Sequence, residues 1–119
     1  LQVAYKLDED DKNIYFYKNL GIYKLLYDIS EKDIKEFLGK NIIKLIRYDE
    51  NNNTELFETL KNYFNNNYNL SETARSMFIH YNTALYRIEK IEEITGMKLE
   101  NSEDRLNLEI AIKIIELKE

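Results

Sequence analysis

Proline is absent from this 119-residue chain, and glycine occurs only at Gly21, Gly39 and Gly96. These two residues are the strongest helix terminators. With so few of them, and with Leu, Ile, Glu and Lys abundant, the chain has few ways to leave a helix. The expected fold class is all-α, a helical bundle. Cysteine is absent too, which removes disulfide frameworks, thiolate zinc sites and cysteine nucleophiles and fits a cytoplasmic protein. No apolar run approaches the roughly 20 residues of a membrane-spanning helix, and no signal peptide opens the chain. The length suits one domain with its own core. The chain begins at Leu1 and its opening reads like mid-domain sequence, so a piece of a longer protein is expected.

Along the chain, Asp8 to Asp11 reads as a solvated loop. Leu20, Tyr23, Leu26 and Tyr27 recur at helical spacing. Ser30 followed by Asp33 resembles a capping box with a shortened acid. Behind it Ile34, Phe37, Leu38, Ile42, Leu45 and Ile46 form an apolar stripe, with a break or bend expected at Gly39. Asn51, Asn52 and Asn53 read as a polar hinge before a helix from Thr54 to about Asn65, with Leu56, Leu60, Tyr63 and Phe64 inward. Asn69 is a good N-cap, with Glu72 three residues on. Leu70, Thr73, Ala74 and Met77 form the inner face of a short helix, and Phe78 and Ile79 fill the connection after it. A second helix is expected from Tyr81 to Thr95, stopped by Gly96, with Ala84, Ile88, Ile91 and Thr95 inward. The last runs from Ser102 to about Leu117, with Asn101 as its cap. It carries two stripes, Leu106, Ile110, Ile114, Leu117 and Leu108, Ile112, Ile115. Two stripes imply burial on two sides. The second is either a dimerisation surface or packs on Leu56 and Leu60.

A short helix, a tight turn and a second helix describe a helix-turn-helix. Close crossing requires a small residue, and Ala74 is suitably placed. An apolar turn residue must pin the angle, and Ile79 fits. The outward start of the second helix must carry hydrogen-bonding side chains. Opposite Ala84 and Ile88 lie Asn82, Thr83, Tyr86, Glu89, Lys90 and Glu93. Asn82 can pair bidentately with adenine, and Thr83 can meet a phosphate or a thymine methyl. Tyr86, Arg87 and Lys90 can reach phosphates, although Arg87 and Lys90 also have carboxylates nearby. Arg75 either meets DNA or balances Glu72. His80, the only histidine, stands at the cap of the second helix, where capping and a phosphate contact are both open.

Leu56 to Leu117 resembles the C-terminal helix-turn-helix domain of the PucR/CdaR family of regulators, the purine-catabolism and sugar-diacid type. The resemblance is carried by Glu58-Thr59-Leu60, Asn69-Leu70-Ser71-Glu72-Thr73-Ala74-Arg75 and Phe78-Ile79-His80-Tyr81-Asn82-Thr83. Tyr86-Arg87-Ile88, Ile91-Glu92, Thr95-Gly96 and Glu103-Asp104-Arg105-Leu106 continue it. Asn19 to Leu26 and Tyr48-Asp49-Glu50 look like the same family's lead-in. The helix pair also looks, more distantly, like that of the nucleoid factor for inversion stimulation.

The resemblance implies a Fis-like fold and a DNA-reading domain at the end of a larger regulator whose effector binds upstream, outside this chain. It divides the chain into a tail of an upstream domain or lead-in (1–17), a helical lead-in (18–53) and the DNA-binding domain (54–119). The expected partner is double-stranded DNA, contacted through Arg75, His80, Tyr81, Asn82, Thr83, Tyr86, Arg87 and Lys90. The expected assembly is a dimer or higher homo-oligomer. The family often has Arg where this chain has Tyr81, Leu85 and Glu89, so positive charge is missing from the reading helix. The formal net charge of −5 points the same way, toward the alternative of an interaction or dimerisation module that keeps the fold with weak or no DNA binding. No catalytic constellation, cofactor loop or metal-ligand spacing appears, so no enzyme, cofactor or metal is expected.

Overall fold

The computed structural model describes residues 21–118. The acidic stretch at 8–11 and the expected tail 1–17 lie outside them. Among them seven helices follow one another: α1 (Ile22–Tyr27), α2 (Glu31–Asn41), α3 (Ile43–Asn52), α4 (Leu56–Asn65), α5 (Leu70–Ser76), α6 (Tyr81–Thr95) and α7 (Ser102–Lys118). No strand occurs among the described residues. The protein is all-α.

The helix ends follow local chemistry. The Ser30 hydroxyl accepts a hydrogen bond from the Asp33 N–H at 3.2 Å and starts α2. The expected break at Gly39 is corrected, because Gly39 stays inside α2 and the chain turns at Ile42, with φ −139°. Burial decides this. Gly39 is exposed, whereas Ile42 is only 1% exposed. The Asn41 side chain donates to the Phe37 carbonyl at 2.8 Å where α2 ends. Asn51 and Asn52 remain helical, so the expected hinge shrinks to Asn53, which caps α3 in the left-handed region at φ 55°.

Asp49, near the end of α3, caps the next helix. One carboxylate oxygen accepts from the Leu56 N–H at 2.9 Å and from the Thr54 hydroxyl at 2.5 Å. The other accepts from the Phe57 N–H at 2.8 Å. The first N–H groups of a helix lack intrahelical partners, and a carboxylate there satisfies them and complements the positive end of the helix dipole. Such a cap contributes about 1 kcal/mol. It also ties α3 to α4.

The main core joins Ile42 and Leu45 to Leu56 and Leu60 of α4, Ile88 and Ile91 of α6, Leu99, and Leu108, Ala111 and Ile112 of α7. A second cluster sets Ile114 of α7 against Leu26 of α1 and Ile34 of α2, with Ile110 and Leu117 beside it. Helix α7 is therefore buried on two faces, as its two stripes imply. Of the two alternatives for Leu108, Ile112 and Ile115, the structure shows packing: they lie in the cluster that holds Leu56 and Leu60, with Ile115 partly buried, and do not form a free dimerisation surface. Leu106, 53% exposed, belongs to neither cluster, so the other stripe starts at Ile110.

The segment between α6 and α7 is strapped by side chains. Glu92 accepts from the Leu99 N–H at 2.9 Å, and Asp104 from the Lys98 N–H at 3.0 Å. Arg105 donates to the Leu99 carbonyl at 3.1 Å, and Asn101 caps α7 by accepting from the Asp104 N–H at 2.9 Å. With the backbone polar groups matched, Leu99 can sit in the core at 5% exposure without leaving buried donors unpaired.

Candidate nucleic-acid interface

Helix α5 begins as its sequence suggests. The Asn69 side chain accepts from the Glu72 N–H at 2.9 Å. Thr73 and Ala74 are buried, and the Thr73 hydroxyl donates to the Asn69 carbonyl at 2.8 Å, which satisfies it without an outside partner. Ala74 of α5 and Ala84 of α6 are 4% and 0% exposed. Helices α5 and α6 pack against each other, and small buried residues on both allow their backbones to approach closely.

The turn between α5 and α6 closes in a specific pattern. The Phe78 N–H donates to the Arg75 carbonyl at 3.2 Å, and the Ile79 N–H to the Ala74 carbonyl at 3.0 Å. This double closure places Phe78 in the left-handed region at φ 59°. Glycine suits that position best, and a bulky side chain there costs roughly 1–2 kcal/mol. Ile79 is half-buried, as a pinning residue should be. The expectation that Phe78 also fills the connection is corrected: its side chain is 94% exposed. Left-handed geometry turns it away from the helix it follows.

Helix α6 runs from Tyr81 to Thr95 and ends at Gly96, φ 74°. Ala84, Ile88 and Ile91 are buried. Asn82, Thr83, Tyr86, Glu89 and Glu93 are exposed. Tyr81, at 49%, and Leu85, at 36%, are also exposed. His80 occupies the N-cap, but its side chain makes no capping hydrogen bond, and the first turn holds no acidic residue. The capping reading of the His80 side chain is therefore corrected. The start of α6 keeps its positive dipole end without a side-chain acceptor.

Two of the expected phosphate contacts point elsewhere. Arg87 donates to the Thr59 hydroxyl at 3.2 Å and lies 3.8 Å from Glu55. At about 100° per residue it falls only about 60° from Ala84, at the edge of the buried stripe, and its length lets it reach α4. Lys90 lies 3.3 Å from Glu93 and 5.4 Å from the centre of the Tyr48 ring on α3. The hydrogen bond to Glu93, with that carboxylate's charge, raises the Lys90 pKa. Arg75 is ion-paired with Glu72 on α5 and is otherwise well exposed. Each of the three cations of the motif thus has an acidic partner. The structure gathers Arg75, His80, Tyr81, Asn82, Thr83 and Tyr86 as exposed groups on the helix pair, and turns Arg87 and Lys90 toward α4 and α3.

Among the described residues no group of three His, Asp or Glu side chains is arranged to hold a metal ion, and no helix is long and apolar enough to cross a membrane.

Residues 56–114 match the family described as the PucR C-terminal helix-turn-helix domain. The chain is similar to the proline-responsive transcriptional activator PutR of Bacillus subtilis, 35% identical over 117 residues, which is 97% of this chain and 28% of that protein. It is similar to the carbohydrate diacid regulator of Escherichia coli, 34% identical over 106 residues, 89% of this chain and 27% of that protein. It is also similar to the purine catabolism regulatory protein of Bacillus subtilis, 30% identical over 101 residues, 85% of this chain and 19% of that protein. The chain thus spans between 19% and 28% of the length of these relatives. No solved structure is significantly similar.

The crossing of α5 and α6 generates a stability prediction. Ala74→Leu adds three carbons at a buried position on α5, which should cost about 1–3 kcal/mol. Thermal unfolding followed by circular dichroism should show a lower midpoint. A variant as stable as the parent would mean that the helices do not meet at Ala74.

Proposed function

This chain belongs to the family of PucR-type transcriptional regulators, its residues 56–114 being the C-terminal helix-turn-helix domain, and from that premise we propose that it reads duplex DNA with α6 laid in the major groove. The observation that carries the reading is the exposed polar start of α6, joined to α5 by the hydrogen-bonded turn at Phe78 and Ile79. Asn82 matches the donor and acceptor pair on the major-groove edge of adenine, and Thr83 a thymine methyl or a phosphate oxygen. His80, Tyr81 and Tyr86 flank them and serve the phosphate backbone, aided by the uncapped helix end. Arg75 serves the backbone from α5. Arg87 and Lys90 act as positioning residues that hold α6 on α4 and α3.

The proposal extends to the protein around this domain. An effector acts on a region outside the chain, since the relatives are several times longer, and residues 54–119 form the DNA-binding unit, with 18–53 as its helical lead-in. One short helix reads only a few base pairs, so two copies bind half-sites about one helical turn apart. Footprinting of the full-length protein should then show two protected patches in that spacing. A single patch bound by a monomer contradicts the dimer.

Asn82→Ala and Thr83→Ala should each weaken specific binding without unfolding the domain, because both side chains are exposed. A lost base contact costs about 1–3 kcal/mol. Titration with a duplex obtained by unbiased selection measures it. Unchanged affinity in both variants removes the assignment of α6 as the reading helix.

Charge sets the strength of the contact. Arg75, Arg87 and Lys90 are all paired with carboxylates, and Glu89 and Glu93 are exposed on α6. Few phosphates are neutralised per domain, and each contributes about −0.9 to the slope of log affinity against log salt. The isolated chain should bind weakly, with a shallow slope. Glu89→Arg should strengthen binding to many sequences and steepen the slope by about one, because phosphate contacts carry no sequence information. If titrations at two salt concentrations show no change, Glu89 does not face DNA.

A further inference from the structure

Phe78 combines two costs that the fold does not require. Among the described residues it is the most exposed large apolar side chain, at 94%, and it occupies a left-handed backbone position at φ 59°. The closure that puts it there does not call for phenylalanine. The same closure ends α4, where the Asn67 N–H donates to the Phe64 carbonyl at 3.1 Å and the Tyr68 N–H to the Tyr63 carbonyl at 2.9 Å. There the equivalent residue is Asn67, at φ 56°, a residue type that tolerates this conformation. At 78 the chain instead carries a ring that belongs to neither hydrophobic cluster. Strain and apolar exposure kept together at one residue mark a functional contact.

We infer that the Phe78 ring contacts a thymine methyl in the major groove entered by α6. The inference rests on the DNA-reading function proposed above and adds a specificity residue to it. Phe78 precedes the N-cap of α6 by two residues, and two backbone hydrogen bonds fix its place. Whatever receives the start of α6 therefore receives Phe78 as well. The surroundings favour DNA over protein as the occupant. Ser76, His80, Asn82 and Thr83 nearby in the chain are exposed and polar. Of the other large exposed side chains there, Tyr81 and Tyr86 carry hydroxyls that can donate to phosphates, while Leu85 is 36% exposed. This mixture suits a nucleic acid better than the contiguous apolar area of a protein docking patch. The first turn of α6 holds no acid and no side-chain cap, so it presents donors to a polyanion. The thymine methyl is the apolar feature of the major groove that carries sequence information, and aromatic side chains meet it.

The test uses the full-length protein and its selected duplex. Phe78→Gly removes the ring and suits the left-handed position, so the variant should be at least as heat-stable as the parent. It should bind the duplex about fourfold more weakly, the value of one buried methyl contact. Replacing each thymine in turn by deoxyuridine removes single methyls. One position should cost the parent about fourfold and cost Phe78→Gly nothing. Uridine penalties that are the same in both proteins at every position overturn the contact. Loss of self-association in Phe78→Gly overturns it too, because the ring then meets a second copy. Asn82→Ala, measured alongside, separates the two levels. If it weakens binding while Phe78→Gly does not, only this inference falls; if neither variant changes binding, the reading of α6 falls with it.

Discussion

A helix with apolar residues on two faces must be covered twice, and α7 imposes that demand on the whole molecule. One face sends Leu108, Ala111 and Ile112 into the core shared with α4 and α6, and the other sets Ile114 against Leu26 and Ile34. Each large aliphatic side chain so buried contributes about 1.5–3 kcal/mol. No rearrangement that uncovers either face is inexpensive. The lead-in helices and the helix-turn-helix are thus joined through one rod, and Asp49 ties them a second time where it caps α4 from the end of α3.

The two long cations of α6 bind within the protein. Arg87 bridges to Thr59 and Glu55, and Lys90 lies between Glu93 and the Tyr48 ring. Short polar side chains remain at the exposed start of α6. Direct base contacts supply discrimination, whereas phosphate contacts supply affinity that salt removes. The DNA interface proposed for α6 would favour discrimination at low intrinsic affinity, a regime in which two linked copies bind more tightly than one.

Much of this arrangement was legible in the sequence, because it depends on local chemistry. The caps Ser30, Asn69 and Asn101 act through bonds within three residues. Gly96 ends α6, and the stripe of Ala84, Ile88 and Ile91 is buried, as helical periodicity requires. What sequence did not disclose depends on tertiary neighbours or on backbone geometry. The direction taken by Arg87 is decided by a threonine on another helix 28 residues away. Ile42, not Gly39, marks the bend because core burial outweighed the flexibility of an exposed glycine. The role of Asp49 spans seven and eight residues across a helix boundary, beyond any capping-box spacing. Phe78 departs from the rule that an apolar residue in a turn faces inward; the signal in the sequence is its place just past the end of α5, where glycine is the usual residue.

The most direct measurement of the central claim is amide chemical-shift mapping. The isotopically labelled chain would be titrated at low salt with a duplex selected by the full-length protein. The largest changes should run from Phe78 through Tyr86, with smaller ones near Arg75 and little on α1 and α2. Changes centred on α1, α2 or α7, with the start of α6 unaffected, would contradict it.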